Sequence, residues 1–166
     1  MRNKTVFIIL FAIVIVYFII SIYKNRTQHF SFNQVDIEDF QGRKVSLDAF
    51  QGKYVLIDVY GTWCIDCIKS LPGLLGMYEV LKKEGWEVVG LNNDEISKTE
   101  EFIKHRRVNF PCFHLVPNYK KLGIYSIPTY FVLDRQGHVV FRSSNQYDWT
   151  KEENIDMLRK IALEHE

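Results

Sequence analysis

Residues 53–67 read K-Y-V-L-I-D-V-Y-G-T-W-C-I-D-C, and the two halves of this stretch obey different rules. Residues 53–60 are β-prone and mostly apolar without alternation, and Gly52 and Gly61 bound them, which predicts a strand buried on both faces. Beyond Gly61 the apolar spacing changes. Leu71, Leu74, Leu75, Tyr78 and Leu81 recur at helical intervals over residues 67–84, with Pro72 predicting an early kink.

A strand that runs straight into a helix places Cys64 at the helix N-terminus and Cys67 one turn along the same face, so the two sulfurs can meet. Unpaired N–H groups and the positive end of the helix dipole there favour a thiolate, the form that attacks disulfides. Two blander readings stand beside this one, a structural zinc site and a pair of inert buried thiols. Cys112 and His114 would complete a Cys3His set, but a second close ligand pair is missing, and a zinc pair normally sits on a tight knuckle. Cys112, in F-P-C-F, reads as a small buried hydrophobe rather than a third redox partner.

Working outward, residues 34–47 form two short alternating stretches about Gln41-Gly42, a hairpin pattern, and residues 48–52 read as a connecting turn. Residues 86–91 are a second buried strand. Residues 97–107 are a helix whose Ser97 and Glu100 match a capping box. After Asn109-Phe110-Pro111 the pattern gives a loop and a short helical stretch over 119–125. Strands at 129–133 and 139–142 then flank Arg135-Gln136-Gly137, and the last helix has Thr150 as N-cap, Glu153 three residues on, and Ile155, Leu158 and Ile161 on one face.

Residues 5–23 contain no charged side chain, and at about 1.5 Å per residue they make a helix roughly 28 Å long, enough to cross a bilayer. The apolar run exceeds a signal-peptide core and no small-x-small cleavage site follows, so it reads as an uncleaved anchor. The expected organisation is a basic flank at 1–4, the anchor at 5–23, a tether at 24–32 and one domain at 33–166. Of the 166 residues, 47% are apolar and 25% charged, a globular mixture that excludes intrinsic disorder. Arg2, Lys4, Lys24 and Arg26 precede the domain and no acid accompanies them, so the domain itself is net acidic. A nucleic-acid partner is excluded on that ground.

Trp63-Cys64-x-x-Cys67, Asp58 six positions before Cys64, and Ile127-Pro128-Thr129 resemble the thioredoxin superfamily. With D-F-Q-G-R-K-V-S-L-D-A-F-Q-G-K-Y-V at 39–55, N-F-P at 109–111 and Y-S-I-P-T-Y-F-V-L-D-R-Q-G at 125–137, the chain is similar to the membrane-anchored TlpA/ResA-type thiol-disulfide oxidoreductases, with their redoxin or AhpC/TSA-like domain. The resemblance implies a thioredoxin-like α/β fold, in which a central mixed sheet is flanked by helices and begins with an N-terminal hairpin. It further implies a Cys64–Cys67 disulfide, with Cys64 as the exposed attacking thiol and Cys67 as the resolving thiol. Pro128 then follows a cis bond that turns the Ile127 backbone toward an incoming chain, with Trp63 and Thr129 at the same substrate site.

Asp58 lies in the middle of an apolar strand, where burial raises a carboxyl pKa, so it reads as a general base for Cys67. The alternative is a strand-end acid that reaches solvent. Asp66, between the cysteines, adds negative charge where relatives commonly have proline, which opposes the thiolate and makes the disulfide less oxidising. Ser70 stands where many ResA-type proteins carry a glutamate important to specificity.

The expected function is therefore a monomeric, membrane-tethered reductase of protein disulfides, one setting for which is cytochrome c maturation. It needs no metal or organic cofactor, and a membrane electron-donor protein re-reduces it. Tethering is useful where no diffusible reductant exists, which places the domain on the extracytoplasmic (periplasmic) side of the bacterial inner membrane. The competing readings are a non-catalytic binding or chaperone module of the same fold and a thiol peroxidase. The peroxidase motif P-x-x-x-T-x-x-C is absent, since Thr62 is two positions from Cys64.

Overall fold

In the computed structural model the described residues are Val14, Ile15, Phe32 and residues 35–165. The chain divides into residues 1–30 and residues 31–166. The expected anchor at 5–23 lies outside the described residues except for Val14 and Ile15, which are helical. Among the described residues no helix is long and apolar enough to cross a membrane.

Seven strands form one mixed sheet in the order β2-β1-β5-β4-β3-β6-β7. The strands are β1 (Ile37–Glu38), β2 (Lys44–Val45), β3 (Tyr54–Val59), β4 (Trp86–Asn92), β5 (Cys112–Leu115), β6 (Thr129–Leu133) and β7 (Val139–Ser143); the helices are α1 (Ile65–Leu81), α2 (Ile96–Arg106) and α3 (Glu152–Glu164). As the continuous apolar run predicts, all six residues of β3 are buried. The strand sits between β4, to which it is parallel, and β6, to which it is antiparallel. The expected hairpin is present with only two residues in each strand, and Gly42 supplies the positive φ of 77° that its turn requires.

Side chains alternate across a strand, so Tyr54, Leu56, Asp58 and Tyr60 share one face of the sheet. There Tyr54 and Leu56 join Leu71, Leu74, Met77 and Leu81 of α1 and Ile155 and Leu158 of α3 in the main core. Tyr54 Oη donates to the Ala162 carbonyl at 2.8 Å, which ties α3 to the sheet. Asp58 therefore faces the helix that carries the cysteines. On the opposite face Phe32 packs edge-on against Phe131, with ring centroids 5.1 Å apart.

Four local expectations are corrected. Residues 112–115 are a strand, not a loop: β5 runs parallel to β4 and antiparallel to β1, so its identity comes from pairing at long range. Residues 48–52 form no simple turn, because a single 3-10 turn over Leu47–Phe50 comes first, capped by Ser46, whose Oγ accepts from the Asp48 N–H. The capping box at Ser97 does not form: α2 starts earlier, with Glu95 as N-cap, and Ser97 Oγ donates to the Glu95 carboxylate. Thr150 does not cap α3 either. Lys151 occupies that position, and Thr150 Oγ1 donates to Asp148 instead, a local bond that competes with capping. Helix α1 continues through Pro72 to Leu81.

Candidate functional site

Strand β3 ends at Val59, and the backbone turns through 60–63 into α1. Cys64 is the N-cap of α1, and its Sγ accepts from the Cys67 N–H at 3.2 Å. This is one of the unpaired N–H groups that make a helix start favour a negative sulfur. Cys64 and Cys67 are joined in a disulfide, with Cα atoms 5.2 Å apart. Cys64 Sγ lies 3.7 Å from the Ile127 carbonyl oxygen, and the Ile127–Pro128 peptide bond is cis. The structure thus brings Trp63, Cys64, Cys67, Ile127 and Pro128 together from segments 63 positions apart in sequence.

Two expectations about exposure are corrected. Cys64 is only 6% exposed, hardly more than Cys67 at 4%, because its sulfur is bonded inward and Tyr60, Phe102 and Ile127 pack around the pair. The exposure falls instead on the neighbours, with Trp63 at 66% and Ile65 similar. Thr129 faces inward: it is fully buried, and its Oγ1 donates to the Ser126 carbonyl at 2.6 Å and lies 2.8 Å from Ser144 Oγ. It braces the Ile127–Pro128 turn from beneath, and its side chain is not presented to a visitor.

Asp58 is buried under Cys67, not at a strand end reaching solvent. Its Oδ1 has no hydrogen-bond partner among the described residues, and desolvation pushes its pKa from 3.8 up to about 7. Asp58, Tyr60, Cys67, Phe102 and Cys112 line a small cavity of about 10 Å³, close to the space one water molecule occupies. A carboxyl with a pKa near neutrality that shares a cavity with a cysteine can take or give that cysteine's proton through one bridging water.

Sequence reasoning missed what shapes this cavity. Gly90 is in register with Asp58 on one side and Cys112 on the other, and a Cβ there would lie 2.8 Å from Cys112 Sγ and 3.0 Å from Tyr60 Cε1. Only glycine lets those two side chains close over β4. Burial, which outweighs the Tyr60 hydrogen bond, pushes the Cys112 thiol up to about 12, so it stays protonated and inert at neutral pH. Among the described residues no cluster of three or more metal-ligating side chains forms, and Cys112 faces Gly90 rather than a zinc set.

Asp66 points outward, with its carboxylate 3.8 Å from Lys69 Nζ and 3.4 Å from Gln146 Nε2, which partly offsets its charge near the sulfurs. Ser70 is buried; its Oγ donates to the Cys67 carbonyl at 3.0 Å and accepts from Tyr130 Oη at 3.3 Å. Asp94 was also missed. Its carboxylate accepts from the Thr62 N–H and the Trp63 indole, just ahead of Cys64. The available signal was its place: an acid just past the carboxyl end of β4, the neighbour parallel to β3, where open α/β sheets gather their sites.

The sequence profile of the AhpC/TSA family matches residues 27–142, more than two thirds of the chain. The chain belongs to the AhpC/TSA family. Among its relatives is the thiol-disulfide oxidoreductase ResA of Bacillus cereus, 33% identical over 130 residues that cover 76% of this chain and 73% of that protein. A thiol:disulfide interchange protein from Bacteroides sp. superposes with a TM-score of 0.64 at 25% identity, covering 76% of this chain and 84% of its own. A thiol-disulfide isomerase from Corynebacterium glutamicum, at 17% identity and a TM-score of 0.68 over 80% of this chain and 96% of its own, shares the fold. The protein is thus a TlpA/ResA-type member of the thioredoxin superfamily with a thioredoxin-like α/β fold, and its activity is thiol-disulfide exchange.

Proposed function

We propose that this family member works as a protein-disulfide reductase, with Cys64 attacking, Cys67 resolving and Asp58 moving the proton. The observation that carries this reading is the Cys64–Cys67 disulfide at the start of α1, with the Cys67 N–H on Cys64 Sγ and the Ile127 carbonyl beside it. In the reduced protein the Cys64 thiolate attacks one sulfur of a target disulfide. A mixed disulfide forms, and the target's other sulfur leaves as a thiolate that takes up a proton. Asp58 then accepts the Cys67 proton across the cavity, and the Cys67 thiolate attacks Cys64 Sγ. The target departs with both thiols reduced, and the enzyme is left with the disulfide described above. Two electrons have moved to the target, so a dithiol donor must return two before the next turnover.

The donor fits a membrane electron-carrier protein, because the uncharged run at 5–23 and the tether at 24–32 would hold the 33–166 domain at the bilayer. We assign the domain to the extracytoplasmic face of a bacterial inner membrane, with disulfide-containing proteins as substrates and the monomer as the working unit. Cytochrome c maturation is one setting such a reductase serves, although Ser70 argues against carrying over the specificity of glutamate-bearing relatives. The test is a pair of variants in an insulin-reduction assay. Cys64→Ser should abolish turnover, and Cys67→Ala should accumulate a covalent complex visible on a non-reducing gel. Turnover retained by Cys64→Ser refutes the assignment, and an accessibility-reporter fusion that reads the domain as cytoplasmic refutes the topology.

A further inference from the structure

The domain is net acidic, yet the rim of the disulfide site formed by residues 118–127 is basic. An open groove of about 180 Å³ begins beside the disulfide at Ile127, whose carbonyl oxygen is 3.7 Å from Cys64 Sγ, and Tyr119, Lys120, Ile124 and Tyr125 line it further on. Lys120 is the one charged side chain in that lining. Lys121 follows it on the same 3-10 turn (Tyr119–Leu122), and Arg142 Nη2 reaches across from β7 to donate to the Gly123 carbonyl. Cations thus gather around one turn at the edge of the groove.

Neither lysine is used to hold the fold. Lys53, Lys69, Lys98 and Lys151 each meet a carboxylate at 3.0–3.8 Å, whereas among the described residues neither Lys120 nor Lys121 has one within ion-pair reach. A lysine in the last turn of a helix can serve the exposed carbonyls, but the backbone already does so here. The Gly123 N–H donates to the Lys120 carbonyl at 3.1 Å and the Ile124 N–H to the Tyr119 carbonyl at 3.0 Å. Asp94 has both carboxylate oxygens engaged by the Thr62 N–H and the Trp63 indole, and Asp66 is turned toward Lys69 and Gln146. The turn itself is pinned. Tyr119 Oη donates to the Tyr60 carbonyl at 2.7 Å and accepts from the Asn93 N–H at 3.1 Å, and Asn118 Oδ1 accepts from the Lys120 N–H at 3.0 Å. The backbone that carries Lys120 is therefore fixed relative to the ends of β3 and β4, and so to the sulfurs.

We propose that Lys120 is a specificity residue: it selects protein substrates that carry an acidic side chain a few residues from the reacting cysteine, and Lys121 and Arg142 add to the positive field around the same turn. This rests on the reading of the site as one that exchanges disulfides with proteins. A substrate chain laid against Ile127 brings its neighbouring side chains into the groove, where a carboxylate meets an ammonium that has no other partner. Apolar walls focus that field, and a like charge in the same place is repelled. Each exposed ion pair changes affinity by a factor of about 1.5 to 5, so a small cluster sets the preference at about 3- to 10-fold.

The experiment uses the full chain in non-ionic detergent, pre-reduced, in single-turnover reactions with hydroxyethyl disulfide and with symmetric disulfides of a one-cysteine peptide whose flanking residues are glutamate, glutamine or lysine. Each peptide rate is divided by the rate of the same peptide with dithiothreitol, which removes the effect of the flanking charges on the peptide's own sulfurs. At low salt the wild type should favour the glutamate peptide over the glutamine peptide by about 3- to 10-fold, with the lysine peptide slower still. In about 1 M sodium chloride, where charges are screened beyond about 3 Å, the preference should fall below about twofold. Lys120→Gln should cut it at least in half and Lys120→Glu should remove or reverse it, while hydroxyethyl disulfide, which offers no carboxylate, reacts within about twofold of wild type. Equal rates for the glutamate and glutamine peptides at low salt, a preference that survives the added salt, or one that Lys120→Glu leaves intact overturns the proposal. A wild type inert toward hydroxyethyl disulfide and all three peptides overturns the reading beneath it, and the inference falls with it.

Discussion

Replacing Asp58 with asparagine separates the cost of burying this carboxylate from everything else the residue does. In the unfolded chain Asp58 loses its proton near pH 3.8, whereas burial holds the folded value at about 7. Below about pH 4 both states keep the proton and the residue costs nothing. Between the two values the folded state binds more protons than the unfolded one, so stability falls as pH rises, and above about 7 the full cost is present. At about 1.4 kcal/mol per pH unit, the gap amounts to about 4 kcal/mol. The asparagine side chain cannot ionise, and its buried amide carries only a fixed penalty of about 1–3 kcal/mol.

The readout is the difference between the two proteins as a function of pH, so fixed penalties cancel. Urea unfolding of the oxidised full chain in detergent, followed by circular dichroism at pH 4, 6 and 8, should show Asp58→Asn gaining about 4 kcal/mol on wild type across that range. In the oxidised protein Cys64 and Cys67 cannot titrate, and Cys112, pushed up to about 12, keeps its proton throughout. Parallel curves for the two proteins would show that Asp58 is ionised and solvated in the fold, and both its raised pKa and its proposed role at Cys67 would be lost.

Further outcomes test the same neighbourhood. Asp58→Asn should also slow release of the mixed disulfide at pH 7 by about 10²-fold or more, the usual contribution of a positioned base, measured by quenched-flow trapping of the covalent intermediate. Gly90→Ala forces a Cβ against Cys112 Sγ and Tyr60 and should cost about 1–3 kcal/mol in urea unfolding; adding Cys112→Ala should recover part of it, and no recovery would mean the clash is elsewhere. Tyr78→Phe removes the 2.7 Å hydrogen bond to Glu87, a buried acid otherwise held by Lys53 at 3.0 Å, and should destabilise by about 1–3 kcal/mol by the same measure.

Much of the fold was legible because its central pieces are local. A short, mostly apolar run rich in β-prone residues and bounded by two glycines is satisfied inside a sheet, and β3 is that; the spacing after Gly61 likewise specified α1. Strand β5 was illegible for the complementary reason: C-F-H-L has no strong pattern of its own and becomes a strand only where β4 and β1 offer it partners. Helix starts were misplaced at Ser97 and Thr150 because a hydroxyl with an acid two residues before it bonds locally instead of capping.

At the site, the residue types and spacing by themselves determined that two sulfurs stand one helical turn apart at the end of a buried strand; that Asp58 lies buried beneath them, and not at a strand end reaching solvent, was settled by the fold. The placement of the sulfurs follows from chain geometry over a dozen residues, which sequence order controls directly. Tertiary structure alone decided that Cys64 is nearly as buried as Cys67, that Thr129 faces inward, that Gly90 lets Cys112 and Tyr60 close over β4, and that Asp94 and Tyr119 clamp the turn ahead of Cys64. Each depends on which strands are neighbours and in what register. Exposure and hydrogen-bond partners are set by whatever the fold brings close, and no residue's own chemistry specifies them.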